Sequence, residues 1–213
     1  MFAKVYDILM SDVDYDAIYQ QIKLYLKKED TIIDAGCGSG YLLLEFLRHD
    51  HYAIGFDHDT EMLSIAFDRL RTNQFAAGLY EHDLRNKIYT SADVILAMFD
   101  VMNYFKGIKK VFQNIYQALN QGGRFIFDIY KYEVLDEYHQ YEEKETEPIT
   151  YEWSIISKGE TLHHKVKVLD ETDFIKQYVY PLDYYLDELK TLGFTYEVKD
   201  SIDSRKHLII AFK

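Results

Sequence analysis

Three glycines at alternate positions follow an acidic residue early in the chain. Gly36 comes two residues after Asp34, and Gly38 and Gly40 follow at the same spacing, directly after an apolar run. Apolar residues at helical spacing over 42–47 continue the pattern, which predicts a buried strand, a tight turn and a helix. Glycine is needed where the backbone bends sharply or where a ligand lies directly against it. The turn is therefore a candidate site for a nucleotide-type cofactor.

The spacing of these glycines differs from that of a dinucleotide-binding turn. In Gly-x-Gly-x-x-Gly counted from Gly36, the third glycine would fall at position 41, and Tyr41 is there instead. The chain also has no Tyr-x-x-x-Lys pair placed as short-chain dehydrogenases have it. A nicotinamide oxidoreductase is therefore disfavoured.

The Asp-x-Gly-x-Gly-x-Gly motif resembles the first motif of the class I S-adenosylmethionine (SAM) dependent methyltransferases. Further landmarks follow in that family's order. Asp57 ends the apolar stretch 52–56, where the family has an acid that binds both ribose hydroxyls. His82-Asp83-Leu84 resembles the third motif, whose acid accepts a hydrogen bond from the adenine amino group. Residues 93–99 and 119–127 resemble the fourth strand, and the helix end, turn and fifth strand after it.

The resemblance implies SAM as the cofactor and a methyltransferase activity, with no metal. We expect SAM to be bound by Asp34, Gly36, Gly38, Gly40, Asp57 and Asp83. The resemblance also implies cofactor contacts from residues beside these motifs, namely Tyr15, Cys37, His58, Met62, Leu84, Phe99 and Asp100. Taken alone, Cys37 suggests packing in a crowded loop before reactivity. Gly122 and Gly123 are expected to form a helix C-cap and turn.

Two further segments resemble a bacterial branch of small-molecule methyltransferases that includes sugar N- and glycine N-methyltransferases. They are residues 2–10, with Asp14 and Tyr15 after them, and residues 99–104. In these relatives an N-terminal tyrosine closes over cofactor and acceptor, which makes Tyr6 the first candidate and Tyr15 the second. The segment 99–104 contains Asp100 and Asn103, which we expect to contact SAM or the acceptor. Tyr6 and Asn103 are therefore the candidate catalytic residues. Helix capping and plain packing are the structural alternatives for these residues.

Residues that the chain lacks exclude two classes of methyl acceptor. Base-amino methyltransferases of the Asn/Asp-Pro-Pro-aromatic type need adjacent prolines near the fourth strand, but the prolines are Pro148 and Pro181. Cytosine C5 enzymes need a cysteine nucleophile later in the chain than Cys37. Both absences favour a small-molecule acceptor. An amine that binds neutral needs only alignment, whereas a hydroxyl or carbon acceptor needs a base, and His163 and His164 are open candidates for that role.

The elements that must position these residues alternate between strands and helices. We expect an α/β fold, a doubly wound Rossmann-like sheet of seven mostly parallel strands that ends in an antiparallel hairpin. Helices are predicted over 14–28, after the glycine turn, after a cap at Asp59, over 107–119 and from Pro181 to Gly193.

Residues 131–180 depart from this minimal fold. Alternating apolar residues predict strands over 149–155, 162–169 and 174–180, whereas the charged run 142–147 predicts a solvated loop. The resemblance implies an antiparallel β cap over the acceptor, inserted after the fifth strand, with 1–130 and 181–213 as the SAM-binding core. A dimer contact or a plain extension of the sheet is the alternative.

Composition agrees with one domain carrying an insertion. The chain has 213 residues, 48% of them hydrophobic, and a net charge of −12 without a basic tract. We therefore expect no nucleic-acid partner, because such binding depends on lysine and arginine displacing counterions. A single cysteine, no signal-peptide pattern and no bilayer-length apolar run favour the cytoplasm and no membrane partner. Two questions stay open: whether the protein forms a homodimer, and whether it binds SAM as a regulator without turnover.

Overall fold

The computed structural model describes residues 2–147 and 149–213. The strands, in chain order, are β1 (Thr31–Ala35), β2 (Tyr52–Asp57), β3 (Leu79–Glu81), β4 (Ala92–Ala97), β5 (Leu119–Tyr130), β6 (Tyr141–Glu145), β7 (Tyr151–Ser157), β8 (Thr161–Val168), β9 (Glu171–Tyr178), β10 (Thr195–Asp200) and β11 (Lys206–Phe212). The helices are α1 (Phe2–Leu9), α2 (Tyr15–Ile22), α3 (Tyr41–Arg48), α4 (Thr60–Thr72), α5 (Lys109–Ala118), α6 (Val134–Glu137) and α7 (Leu182–Leu192). No helix within these residues is long and apolar enough to cross a membrane.

The main sheet has seven strands in the order β10-β11-β5-β4-β1-β2-β3. Strands β1 to β5 pair in parallel, and β11 pairs antiparallel with both β5 and β10. The predicted fold class, including the terminal hairpin, is confirmed. The central strand β4 is buried on both faces, because Val94 and Leu96 pack on one side and Ile95 on the other. Such a strand needs a continuous apolar run, which the sequence supplies.

The predicted helices are present, with one difference in length. Asp59 accepts hydrogen bonds from two N–H groups of α4, and Gly193 ends α7 with φ +94°. The first predicted helix was too long: α2 ends at Ile22 and continues only as a 3₁₀ turn over Lys23–Tyr25. The chain then turns into β1, since the Asp30 carboxylate accepts from the Lys27 N–H at 2.6 Å.

The interpretation of Gly122 and Gly123 as a helix cap was wrong. Helix α5 ends at Ala118, and β5 begins at the next residue. The pairing of β4 with β5 shifts between Ala92 and Val94, so the two glycines lie in an irregularity within the strand. Gly122 has φ +76°, and its N–H donates to the Lys213 carbonyl at 3.1 Å. The irregularity therefore places the backbone of Gly122 and Gly123 within hydrogen-bonding distance of Lys213.

Residues 131–180 contain the predicted antiparallel sheet, with one more strand than expected. Its order is β6-β7-β8-β9. The charged run predicted as a loop forms β6, which pairs with β7. The reason is that Glu143 accepts hydrogen bonds from Tyr141 and Tyr151, while Glu142 and Lys144 point to solvent. A charged strand is stable at the edge of a sheet. We call this four-stranded sheet the cap sheet.

Candidate functional site

Two adjoining cavities open near the carboxyl ends of the parallel strands, where ligands bind in doubly wound sheets. The glycine-turn cavity has a volume of about 680 Å³, and it contains Asp34, Asp57 and the turn between β1 and α3. The cap cavity has a volume of about 410 Å³ and lies between the main sheet and the cap sheet. Both volumes lie within the range of roughly 300–1,000 Å³ typical of small-molecule sites.

The glycine turn brings backbone close to a ligand. The N–H groups of Gly36 and Cys37 both donate to the Phe56 carbonyl, at 2.7 and 2.9 Å, which fixes the turn against β2. Gly38 has φ +53°, and a Cβ there would meet no atom within 4 Å, so this position faces open space. Gly40 does not line the cavity. It precedes α3 and lies against Ala66 of α4.

Two buried carboxylates lie beside this turn. Asp57, 7% exposed, accepts from the N–H groups of Gly38 at 2.8 Å and of Asp59 at 2.9 Å. Asp34, 3% exposed, has a buried Oδ2 atom without a hydrogen-bond partner among the described residues. Burial, and then the neighbouring charge of Asp57, raise the pKa of Asp34 to about 7. An unpaired oxygen beside a second acid fits a ligand that carries positive charge and hydroxyl groups.

The other residues predicted to contact the cofactor mostly line the same cavity: Tyr15, Cys37, His58, Met62, Asp83, Leu84 and Phe99. The ring of Tyr15 stacks on that of Tyr41 at 4.8 Å. Asp83 already holds Arg85 through both carboxylate oxygens, and this hydrogen bonding lowers the pKa of Asp83. Cys37 is buried, and burial raises the pKa of its thiol, which agrees with a packing role.

Asp100 lies in the cap cavity and outside the glycine-turn cavity. Its Oδ1 is 2.5 Å from Lys206 Nζ, and its Oδ2 accepts from the side-chain amide of Gln177. Asp128 accepts from the Asp100 N–H and lies 3.7 Å from Lys206 Nζ. Burial opposes the charge on Lys206, but Asp100 and Asp128 outweigh burial and raise the pKa of the ammonium. The three charges form one buried network.

Asn103, a predicted catalytic residue, lines neither cavity. Its side chain is fully buried. Its amide donates to the Tyr178 carbonyl at 2.8 Å and accepts from the Tyr130 N–H at 3.1 Å. These bonds join the turn after β4 to β5 and to the cap sheet, so the side chain holds elements together.

Tyr6 lies where the two cavities meet. The residues that line both are Tyr6, Met10, Met98, Phe99, Tyr104 and Ile175, and we call this set the shared wall. Burial, and secondarily the charge of Asp100, raise the pKa of the phenols of Tyr6 and Tyr104. Both phenols therefore keep their protons near neutral pH.

The sequence interpretation missed several residues of the cap cavity. Lys206, Gln177, Asp128 and Glu143 all line it. Lys206 carried one usable signal, because a charged residue that opens an otherwise apolar strand needs a buried partner. Of the two histidines left open, His164 faces the cap cavity and His163 does not.

Comparisons with known proteins agree with this geometry. A family model described as "Methyltransferase domain" matches residues 32–123, which include Asp34, Asp57 and Asp83. The chain is 26% identical to "Putative methyltransferase GWCH70_2453" of Geobacillus sp. (strain WCH70), over 91% of this chain and 87% of that protein.

Two solved structures share the whole architecture. An S-adenosylmethionine-dependent methyltransferase from Clostridium acetobutylicum ATCC 824 has a TM-score of 0.82 and 22% identity, covering 99% of this chain and 97% of that one. The sugar N-methyltransferase KedS8 from Streptoalloteichus sp ATCC 53650 has a TM-score of 0.78 and 16% identity, covering 98% and 92%. At these identities the likeness concerns the fold.

Proposed function

We propose that the chain is a SAM-dependent methyltransferase of class I, and that it methylates the amino group of a small molecule held in the cap cavity. The observation that carries the proposal is the shared wall. Because these side chains line both cavities, a ligand in the glycine-turn cavity and another in the cap cavity would lie next to each other. Residues 1–130 and 181–213 would then bind the cofactor, and 131–180 would cover the acceptor.

The residues of the glycine-turn cavity fit SAM. When bound, SAM supplies a methyl group on a positively charged sulfur. Asp57 is the residue we assign to the ribose hydroxyls, because a rigid buried carboxylate accepts well from a diol. The unpaired Oδ2 of Asp34 suits the positive charge of the ligand. Asp83 and Leu84, which also line the cavity, are assigned to the adenine.

The lining of the cap cavity favours an amine. Its ionisable residues include four carboxylates and two cations, namely Asp100, Asp128, Glu143, Asp203, Lys206 and Arg205. Tyrosine rings and Trp153 line it as well, and their faces attract cations. Methyl transfer to a neutral amine leaves a positive charge on its nitrogen, which these carboxylates and ring faces would stabilise. The likeness of fold to KedS8, a sugar N-methyltransferase, supports this choice of acceptor atom.

Catalysis in this proposal needs alignment and no strong base. The ionisable groups of the shared wall, within the described residues, are the phenols of Tyr6 and Tyr104, whose raised pKa values keep them protonated. They donate hydrogen bonds but do not remove protons. An amine that binds with its lone pair free needs only to be held in line with the methyl group and the sulfur. Orientation of this kind can remove a large part of the activation barrier to methyl transfer.

The first experiment tests the cofactor and then the acceptor. We expect SAM and S-adenosylhomocysteine, each at about 100 times its Kd, to add roughly 2.7 kcal/mol to the free energy of unfolding. NAD should add nothing. Asp57→Ala should abolish the shift, whereas the control Asp93→Ala should retain it, because Asp93 lines neither cavity and instead accepts from the Thr31 N–H.

Transfer of labelled methyl from SAM to a panel of small amines then tests the acceptor. Turnover of amines, without turnover of matched alcohols, supports the proposal. A stabilising shift with SAM and no transfer to any amine would contradict the proposed acceptor, and it would favour a SAM-binding protein without turnover.

A further inference from the structure

One acid of the cap cavity lacks an ion pair within the described part of the chain. The two cations that line this cavity are both paired already, Lys206 with Asp100 and Asp128, and Arg205 with Asp203. The remaining acid of the lining is Glu143, and it makes no ion pair with any described residue. Its negative charge is therefore offset by no cation of the described chain.

Two phenols hold Glu143 in position without neutralising it. The hydroxyls of Tyr141 and Tyr151 donate to its two carboxylate oxygens. The bond to Glu143 is the main cause that raises the pKa of Tyr141 to about 12, so this phenol keeps its proton and acts as the donor. A carboxylate has about four acceptor positions, and the two neutral donors fill two of them. Glu143 is thus fixed, charged and able to accept from a ligand.

An indole ring lies beside this carboxylate. Glu143 on β6 is the direct partner of Trp153 on β7, so the two side chains emerge on the same face of the cap sheet. Glu143, Trp153 and Tyr141 all line the cap cavity. Aromatic faces attract cations, and a carboxylate supplies the opposite charge. This end of the cavity therefore combines the two features that bind an organic ammonium group.

Glu143 lies away from the place where methyl transfer would occur. Its strand, β6, is one edge of the cap sheet, whereas Ile175 of the shared wall is on β9, the other edge. Three strand spacings separate the two edges, about 14 Å between backbones. The reacting nitrogen must lie at the shared wall, next to the methyl group. A cation at Glu143 is therefore a second group of the acceptor and not the nitrogen that reacts.

We propose that Glu143 binds a second, protonated amino group of the acceptor, which makes the substrate a diamine. This inference rests on the proposed amine methylation. The nitrogen at the shared wall binds neutral and forms the new bond to the methyl carbon with its lone pair, as the bond from that carbon to sulfur breaks. The methylated nitrogen then releases a proton to water. The nitrogen at Glu143 stays an ammonium and donates to the carboxylate.

The test compares α,ω-diamines, from 1,4-diaminobutane to 1,10-diaminodecane, with the monoamines of the same chain length, with SAM as donor. We expect about tenfold higher kcat/KM for the best diamine than for its monoamine, mainly through a lower KM, since one hydrogen bond to a charged group discriminates by at least this factor. Two equivalent ends alone would give only a doubling. The preference should peak at one chain length, because both binding positions are fixed.

Glu143→Gln keeps the shape of the side chain and removes its charge. It should abolish the preference for diamines and leave the monoamines within about twofold of their wild-type kcat/KM. It should also retain the stabilisation by SAM, because Glu143 does not line the glycine-turn cavity. Glu142→Gln is the matched control, since Glu142 is the adjacent residue on β6, is exposed and lines neither cavity. It should change none of these values.

Equal kcat/KM for diamines and monoamines in the wild-type protein would overturn the inference. A Glu143→Gln variant that keeps the preference, or that slows diamines and monoamines alike, would overturn it as well.

A second measurement does not depend on turnover. Diamines are titrated by calorimetry into protein saturated with S-adenosylhomocysteine, which has no methyl group to transfer. We expect Glu143→Gln to weaken diamine binding about tenfold and Glu142→Gln to leave it unchanged. Equal diamine affinity in the wild-type protein and Glu143→Gln would overturn the inference. Binding that depends on Glu143, without methylation of any amine, would uphold the ammonium site and count against amine methylation alone.

Discussion

Replacing Asp34 with asparagine is expected to stabilise the ligand-free protein and to weaken SAM binding. Asp34 is buried beside Asp57, and one of its oxygens has no hydrogen-bond partner among the described residues. Ionising such a group in the folded protein is unfavourable, because burial removes hydration from the carboxylate and the charge of Asp57 repels it. Asparagine has nearly the same shape and no charge, so the ionisation cost disappears along with the attraction for a cationic ligand.

The magnitude follows from the shift in pKa. Burial and Asp57 raise the pKa of Asp34 from 3.8 to about 7. Each pKa unit corresponds to about 1.4 kcal/mol, so the ionised side chain costs the folded state on the order of 4 kcal/mol. Between about pH 4 and pH 7 the folded state keeps a proton that the unfolded state has lost. The free energy of unfolding therefore falls as pH rises through this window and is level above it.

The assay is denaturant unfolding of both proteins at pH 4, 6 and 8. The stability difference in favour of Asp34→Asn should be close to zero at pH 4 and about 4 kcal/mol at pH 8. Asp93→Asn is the control of opposite sign. Hydrogen bonds from Thr31 and Asn120 lower the pKa of Asp93, so its ionised form stabilises the fold and its loss should destabilise at pH 8.

Ligand binding provides a second measurement of the charge on Asp34. Because the positive charge of SAM favours the ionised form of Asp34, SAM binding to the wild-type protein at pH 6 should release a proton, seen by calorimetry in buffers of different ionisation enthalpy, and Asp34→Asn should release none. The reasoning is refuted if Asp34→Asn is less stable than the wild-type protein at pH 8. It is also refuted if both proteins show the same dependence of stability on pH.

Two further changes test the turn and the charge network. Gly38→Ala places a methyl group in the glycine-turn cavity at φ +53°, and we expect a loss of about 1 kcal/mol in stability together with weaker SAM binding in a titration. Gly122→Ala, also at positive φ in open space, should cost similar stability and leave SAM affinity intact. Lys206→Met leaves Asp100 and Asp128 without their buried cation and should cost about 3–5 kcal/mol in denaturant unfolding. Adding Asp100→Asn should restore part of that loss, and a single variant as stable as the wild-type protein would show that the network does not hold the fold.

The glycine-turn cavity was largely predictable because its signals are local in sequence. Asp34 and the three glycines lie within seven residues, and Asp57 stands at the end of a recognisable strand. The parallel arrangement then brings the ends of β1 and β2 together without further information. The role proposed for Asn103 rested on a motif alone, and motif spacing does not reveal that a short 3₁₀ turn directs this side chain into the interior.

The cap cavity was not predictable in the same way, because its polar residues come from distant segments. His164 and Gln177 lie on adjacent cap strands, whereas Lys206 begins the last strand of the main sheet. Alternation along β8 indicates that His163 and His164 face opposite sides, but it does not say which side is covered. Strand β6 was missed because charge argues against a strand, and the two tyrosines that hold Glu143 are not evident from the charged run itself.

Asp100 shows why the two sheets act as one site. Its carboxylate bonds to Lys206 of the main sheet through one oxygen and to Gln177 of the cap sheet through the other. Its backbone, at φ +55°, is held by the Asp128 carboxylate at the end of the neighbouring strand. A charged bond of this kind is stronger and more directional than apolar contact. The position of the cap sheet over the shared wall, and with it the orientation of Gln177, is therefore set by a charge in the same loop that carries Phe99 between the two cavities.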